Sequence, residues 1–146
     1  MRHSISEIQI SYLPQTMKGK IKVTDSNKAF KVLLDDWNIN TLELFEEFKV
    51  LLLNNSNIPL GIYTVSKGGI TATLVDLRLL FSVVLKSCAT AMITVHNHPS
   101  GKLIPSQPDI DIYKKIKEIA FFHEINYLDN LILTRNGYYS FMDENV

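Results

Sequence analysis

The run CATAMITVHNH, Cys88–His98, constrains the fold more than any other stretch. Its residues are mostly small or β-favouring, so it reads as a central strand in a mostly buried sheet. Such a strand needs helices to cover it, and the flanking segments have the right period. DSNKAFKVLLDDW (25–37) has cap candidates in Asp25 and Ser26 and sets Phe30, Val32, Leu33, Leu34 and Trp37 on a helical stripe. LVDLRLLFSVVLKS (74–87) repeats with a helical period, and a third helix runs from Ser106 through PDIDIYKKIKEIAFFH with Ile112, Tyr113, Ile116, Ile119 and Ala120 on one face. A further helical segment is expected near NTLELFEE (40–47). FKVLLLNN (48–55) reads as a strand ending at the turn-rich NNSNIP, and LGIYTVSKGG (60–69) as its hairpin partner, broken by KGG. Two closing strands, INYLDNLILTR and YYSFM, flank the turn Asn136-Gly137. This order predicts one α/β or α+β domain over 1–146, with no repeat and no Pro/Ser-rich linker to divide it.

Charge narrows the function classes. Fifteen basic residues balance fifteen acidic ones, so no overall field draws the chain to a polyanion. The N-terminus lacks the apolar run of a signal peptide, and the longest apolar stretch, LLFSVVL (79–85), is far below membrane-spanning length. A cytoplasmic protein with no membrane contact is expected. The single cysteine, Cys88, has no partner for a disulfide within the chain and is expected in the core, with a reactive thiol as the lesser reading.

The chemistry concentrates in VHNHPSGKLIPSQPD (95–109). His96 and His98 end the predicted strand, where residues two apart point to the same side. A catalytic zinc takes three protein ligands and leaves a fourth position for water, so the pair needs one more donor, and Asp109 is the nearest candidate. Gly101 and Pro105 lie in a loop able to bring Asp109 back to the histidines. There is a plainer reading of the second half: Ser106-Gln107-Pro108-Asp109 is also an S-x-x-D capping box with Pro in the first turn. Two same-facing histidines followed by Pro-Ser-Gly have little packing reason to exist, which favours ligation. The N/O donor set suits zinc, and iron or manganese would fit the same cage.

His96, His98, seven residues, then Ser106 and Asp109 resembles the JAMM (MPN/JAB) metalloprotease motif; HNHPSG followed by PS and the aspartate is similar to the RadC branch. The likeness extends to EEFKVLLLNN, GG and DNLILTRNGYYSF, leaving the first forty residues divergent. It implies a single RadC-like JAB domain, a cytidine-deaminase-like α/β/α sandwich of three layers around a mixed central sheet. It further implies that His96, His98 and Asp109 hold Zn2+, that Glu46 is the general base and that Ser106 donates to an oxyanion. The implied reaction is hydrolysis of a peptide or isopeptide bond in a protein or peptide substrate by a metal-activated water. Glu47 is adjacent to Glu46 and Glu43 could share a helix face with both; the plain reading of all three is a solvated acidic turn. Asn130 in DNLI stands where the family often has histidine, and the helix-hairpin-helix domain usual in full-length RadC proteins is not expected in so short an N-terminal part. The string HNH is not that of the HNH nucleases, whose named residues are scattered.

Two rival functions follow. One is a DNA-repair or mobile-element accessory protein that binds nucleic acid or a repair partner, as the naming of the RadC group suggests; the other is a scaffold that holds metal without turnover. The remaining singled-out residues read as structural: His123 complementing a helix C-terminus, His3 in a terminal segment, YKKIKE as a solvated helix face, and Tyr138, Tyr139 and Phe141 as a packed closing strand.

Overall fold

Asp25 is extended (φ −157°, ψ 167°) and its carboxylate accepts the Lys28 amide proton at 2.8 Å, so Asp25 rather than Ser26 caps α1, Ser26–Asp36. In the computed structural model, residues 4–9, 11–13, 21–68 and 74–146 are described. His3 and Gly69 lie outside the described residues. After α1 come β1 (Glu47–Leu53), β2 (Pro59–Lys67), α2 (Leu77–Lys86), β3 (Ala91–Asn97), α3 (Gln107–Phe122), β4 (Asn126–Thr134) and β5 (Gly137–Ser140).

The strands form one sheet in the order β2-β1-β3-β4-β5. β3 lies at its centre, antiparallel to β1 and parallel to β4, and every residue of β1 and β3 is buried. Alternation along these strands splits the core in two. Leu51, Leu53, Ile93, Val95, Leu131 and Leu133 pack with Ala29 and Leu33 of α1, while Phe48, Val50, Leu52 and Met92 pack with Leu80, Phe81 and Val84 of α2 and with Ile116 and Ala120 of α3. The domain is an α/β fold on a mixed five-stranded sheet. Among the described residues no helix is long and apolar enough to cross a membrane.

The closing strand packs as expected: Tyr138 stacks on Phe30 at 4.8 Å, while Tyr139 and Phe141 meet at 5.5 Å. Two expectations are corrected. NTLEL (40–44) forms turns rather than a helix; Asn38 gathers the Asn40 amide on its side chain and the Thr41 and Leu42 amides on its carbonyl, and the Leu42 and Phe45 carbonyls are taken by the buried Asn97 side chain at 2.7 and 2.9 Å. Partners some fifty residues away override the local periodicity. Cys88 is exposed, not in the core: it comes just past Ser87, the C-cap of α2, with φ 56°, and this left-handed bend turns its side chain outward.

Candidate metal centre

β3 and α3 build the centre between them. His96 is the last but one residue of β3 and His98 immediately follows the strand, so both rings project to the side covered by α2 and α3. Their Nε2 atoms lie 3.1 Å apart. The loop 99–105 returns the chain to the N-terminus of α3, where Asp109 sits with one carboxylate oxygen 3.3 Å from His96 Nε2 and the other 3.4 Å from His98 Nε2.

The capping box is also present. Ser106 Oγ accepts the Asp109 amide proton at 3.3 Å, and Asp109 Oδ2 accepts the Ser106 amide proton at 2.7 Å. Capping and convergence on the histidines therefore belong to one carboxylate. The cap fixes its rotamer and leaves Oδ1 directed at His96.

Three observations bear on whether a cation fits. Donors arranged tetrahedrally around an ion at zinc–nitrogen distances stand roughly 3.3–3.4 Å from one another, close to the spacings here. Next, His98 Nδ1 lies 2.8 Å from the Lys102 carbonyl and must be the donor, which fixes the tautomer and leaves the Nε2 lone pair for the centre. Lastly, burial acts to raise the Asp109 pKa but is outweighed by His96 and His98, which in their protonated forms donate to it, so the carboxyl is held well below its usual range. For His98, burial acts to lower the pKa, but hydrogen bonds to Asp109 and to the Lys102 carbonyl, with the charges of Asp109 and Glu46, raise it overall. Both shifts favour positive charge beside the carboxylate. Among the described residues the site is the one group of His, Cys, Asp or Glu side chains with metal-ligand geometry. His96 Nδ1, by contrast, is buried without a hydrogen-bond partner.

The β1–β3 register places the acidic candidates. Phe48 lies opposite His96, so Glu46, two residues earlier, lies alongside His98. Glu46 lines a cleft of about 210 Å³ with Phe48, Leu74, Val75, His96, Pro108, Asp109 and Ile112. Glu47 is buried and its carboxylate pairs with Lys67 at 3.1 Å. Glu43 is exposed and paired with Arg135 at 3.1 Å. Of the residues picked out from sequence, Glu46, His96 and Asp109 share the cleft; His98 completes the donor group, and Ser106 stays on the exposed helix cap. His123 caps α3 and Asn130 is buried, its Oδ1 accepting from Thr94 at 2.8 Å; neither belongs to the donor group.

One residue that spacing alone did not pick out is Asn97, between the two histidines. The same pleat that sends them to one side sends it to the other, where it bonds the chain around Glu46.

The profile of the RadC-like JAB domain matches residues 23–146. The chain belongs to this family. The match takes in α1 as well as the sheet and the donor group. Similar proteins of the family include a UPF0758 protein of Flavobacterium johnsoniae, 47% identical over 125 residues, which cover 86% of this chain and 53% of that one. Another, from Porphyromonas gingivalis, is 34% identical over 131 residues, covering 89% and 56%. A third, from Staphylococcus aureus, is 38% identical over 127 residues, covering 86% and 56%. The chain thus spans about half the length of the curated relatives it matches, and their shared designation names no activity.

Proposed function

We propose that this RadC-like JAB domain is a zinc-dependent hydrolase that cleaves a peptide or isopeptide bond in a protein or peptide substrate. The observation that carries the reading is that His96, His98 and Asp109 converge beside a cleft lined by a carboxylate, Glu46, which is not one of the three donors. Those three residues would hold the ion; when bound, it supplies a water with a pKa lowered to about 7 and a Lewis acid for the scissile carbonyl. Glu46 takes the proton of the attacking water and delivers it to the departing amine. Ser106 Oγ, which accepts from the Asp109 amide, keeps its own proton free for the oxygen of the tetrahedral intermediate. Phe48, Val75 and Ile112 give the cleft apolar walls that hold substrate and exclude water.

The test has two stages. Elemental analysis of wild type beside His98→Ala should show about one zinc per chain in the first and a marked loss in the second; equal metal content removes the site. Zinc-loaded wild type should then cleave fluorescein-labelled casein, and Glu46→Gln should keep the metal while losing cleavage. Unchanged turnover in that variant ends the hydrolase reading as drawn.

A further inference from the structure

We propose that Asn97 is a positioning residue that sets Glu46 against the donor group, so that the middle residue of HNH acts on the site from the opposite face of the sheet. This rests on the hydrolase reading above and adds to it the device that places the base. Asn97 is fully buried. Its Oδ1 accepts the Glu47 amide proton at 2.7 Å, and its Nδ2 donates to the Leu42 carbonyl at 2.7 Å and the Phe45 carbonyl at 2.9 Å. Both side-chain N–H groups are used, and two of the three partners are the residues immediately before and after Glu46.

That segment needs such a clamp. Residues 39–44 are turns, and β1 begins only at Glu47, so Glu46 lies where neither helix nor strand hydrogen bonding fixes the backbone. Leu42 anchors the turns in the α1 side of the core, and Arg135 straps them from outside through Glu43 and the Ile39 carbonyl, but both act upstream of the base. The Gly68 amide bonds the Glu46 carbonyl at 2.8 Å and restrains one side of that residue. Asn97 restrains both neighbours. Because Asn97 shares its backbone with His96 and His98, the base is registered to the strand that carries two of the three donors. Misplacing a reacting group by about 1 Å can cost on the order of a hundredfold in rate.

The experiment uses the zinc-loaded full chain with Asn97→Ala, Glu46→Gln, the double variant and Arg135→Ala, read by zinc content, by kcat and KM on fluorescein-labelled casein, and by amide hydrogen exchange. Asn97→Ala should retain zinc, lose on the order of a hundredfold in kcat with KM little changed, and exchange faster at the Glu47 amide. In the Glu46→Gln background the same substitution should cost nothing further in rate, and Arg135→Ala should leave both readouts near wild type. Wild-type kcat in Asn97→Ala with full zinc, or an equal additional loss in the double variant, overturns the positioning role and leaves the hydrolase reading intact. If wild type cleaves nothing, that reading fails on its own. Exchange then decides whether the clamp exists. A Glu47 amide in the wild-type protein that exchanges as fast as an exposed loop amide overturns the clamp whether or not any variant folds.

Discussion

Replacing Ser106 separates its two jobs, because capping and catalysis predict effects of different size on different readouts. In Ser106→Ala the Asp109 amide loses its acceptor at 3.3 Å, while the Ser106 backbone N–H still holds Asp109 Oδ2 at 2.7 Å. Loss of an N-cap side chain costs about 1 kcal/mol. For a chain of this length that corresponds to a fall of about 3 °C in Tm. Zinc content should not change, since the bond that fixes the carboxylate survives. If the hydroxyl also serves the oxyanion, kcat falls on the order of a hundredfold, about 2.7 kcal/mol in the transition state, nearly three times the capping cost. Ser106→Gly distinguishes the two, because glycine at an N-cap costs only a few tenths of a kcal/mol but has no side chain to donate. Thermal unfolding should show Tm largely recovered in Ser106→Gly while casein cleavage stays low. Turnover restored along with Tm refutes the oxyanion role; a Tm unmoved in Ser106→Ala refutes the capping argument.

Acid and base should act oppositely on the metal-free and metal-loaded protein. The His98 pKa is raised above its ordinary 6.5, so in metal-free protein its stabilising contribution is fully present below that value and is lost as pH rises through the higher folded value. Zinc must displace the same proton, so the apparent zinc affinity should weaken as pH falls through that raised value. Tm and zinc content measured on both forms between about pH 5 and 9 check this, and a flat metal-free profile contradicts it. Glu47→Gln should leave cleavage near wild type, in contrast to Glu46→Gln, because its carboxylate faces Lys67 rather than the cleft. A rate loss in Glu47→Gln as large as in Glu46→Gln would transfer the base role.

Where apolar periodicity decides the structure, the sequence was sufficient. The stripe of α1, the buried run of β3 and the alternation of Tyr138, Tyr139 and Phe141 follow from residues that must be covered. Residues 38–46 were illegible for a definite reason: their backbone partners are side chains of Asn38 and of Asn97, the latter some fifty positions away. The apolar neighbours of Cys88 point it to the core, but they do not reveal a left-handed residue just past a helix end. Glu46 and Glu47 were equivalent as letters. Pleat and register separate them, placing one beside the histidines and the other on Lys67. The capping box and the ligand are rival readings of Asp109 only while letters hide that one carboxylate reaches both the Ser106 amide and the histidine pair.

A count of protons at the centre gives the sharpest reason to expect a cation there. The Lys102 carbonyl fixes a proton on His98 Nδ1, so a neutral His98 presents a bare lone pair at Nε2. A neutral His96 brings one proton at most to that point, where the His98 lone pair and Asp109 Oδ1 both need a donor. With neutral rings the group is short of positive charge, and either an extra proton or a metal ion makes up the difference. Asp109→Asn supplies the shortfall internally, since its NH2 can donate toward the rings while its carbonyl keeps the bond from the Ser106 amide. This variant should therefore be as stable as metal-free wild type or more so, and should hold no zinc. Chelation should lower the Tm of wild type, by about 2.7 kcal/mol of linkage where zinc stands at a hundred times its Kd, and should not move that of Asp109→Asn. Wild-type zinc content and a chelator-sensitive Tm in Asp109→Asn would mean that the aspartate caps its helix and nothing else, and the donor set would have to be sought without it.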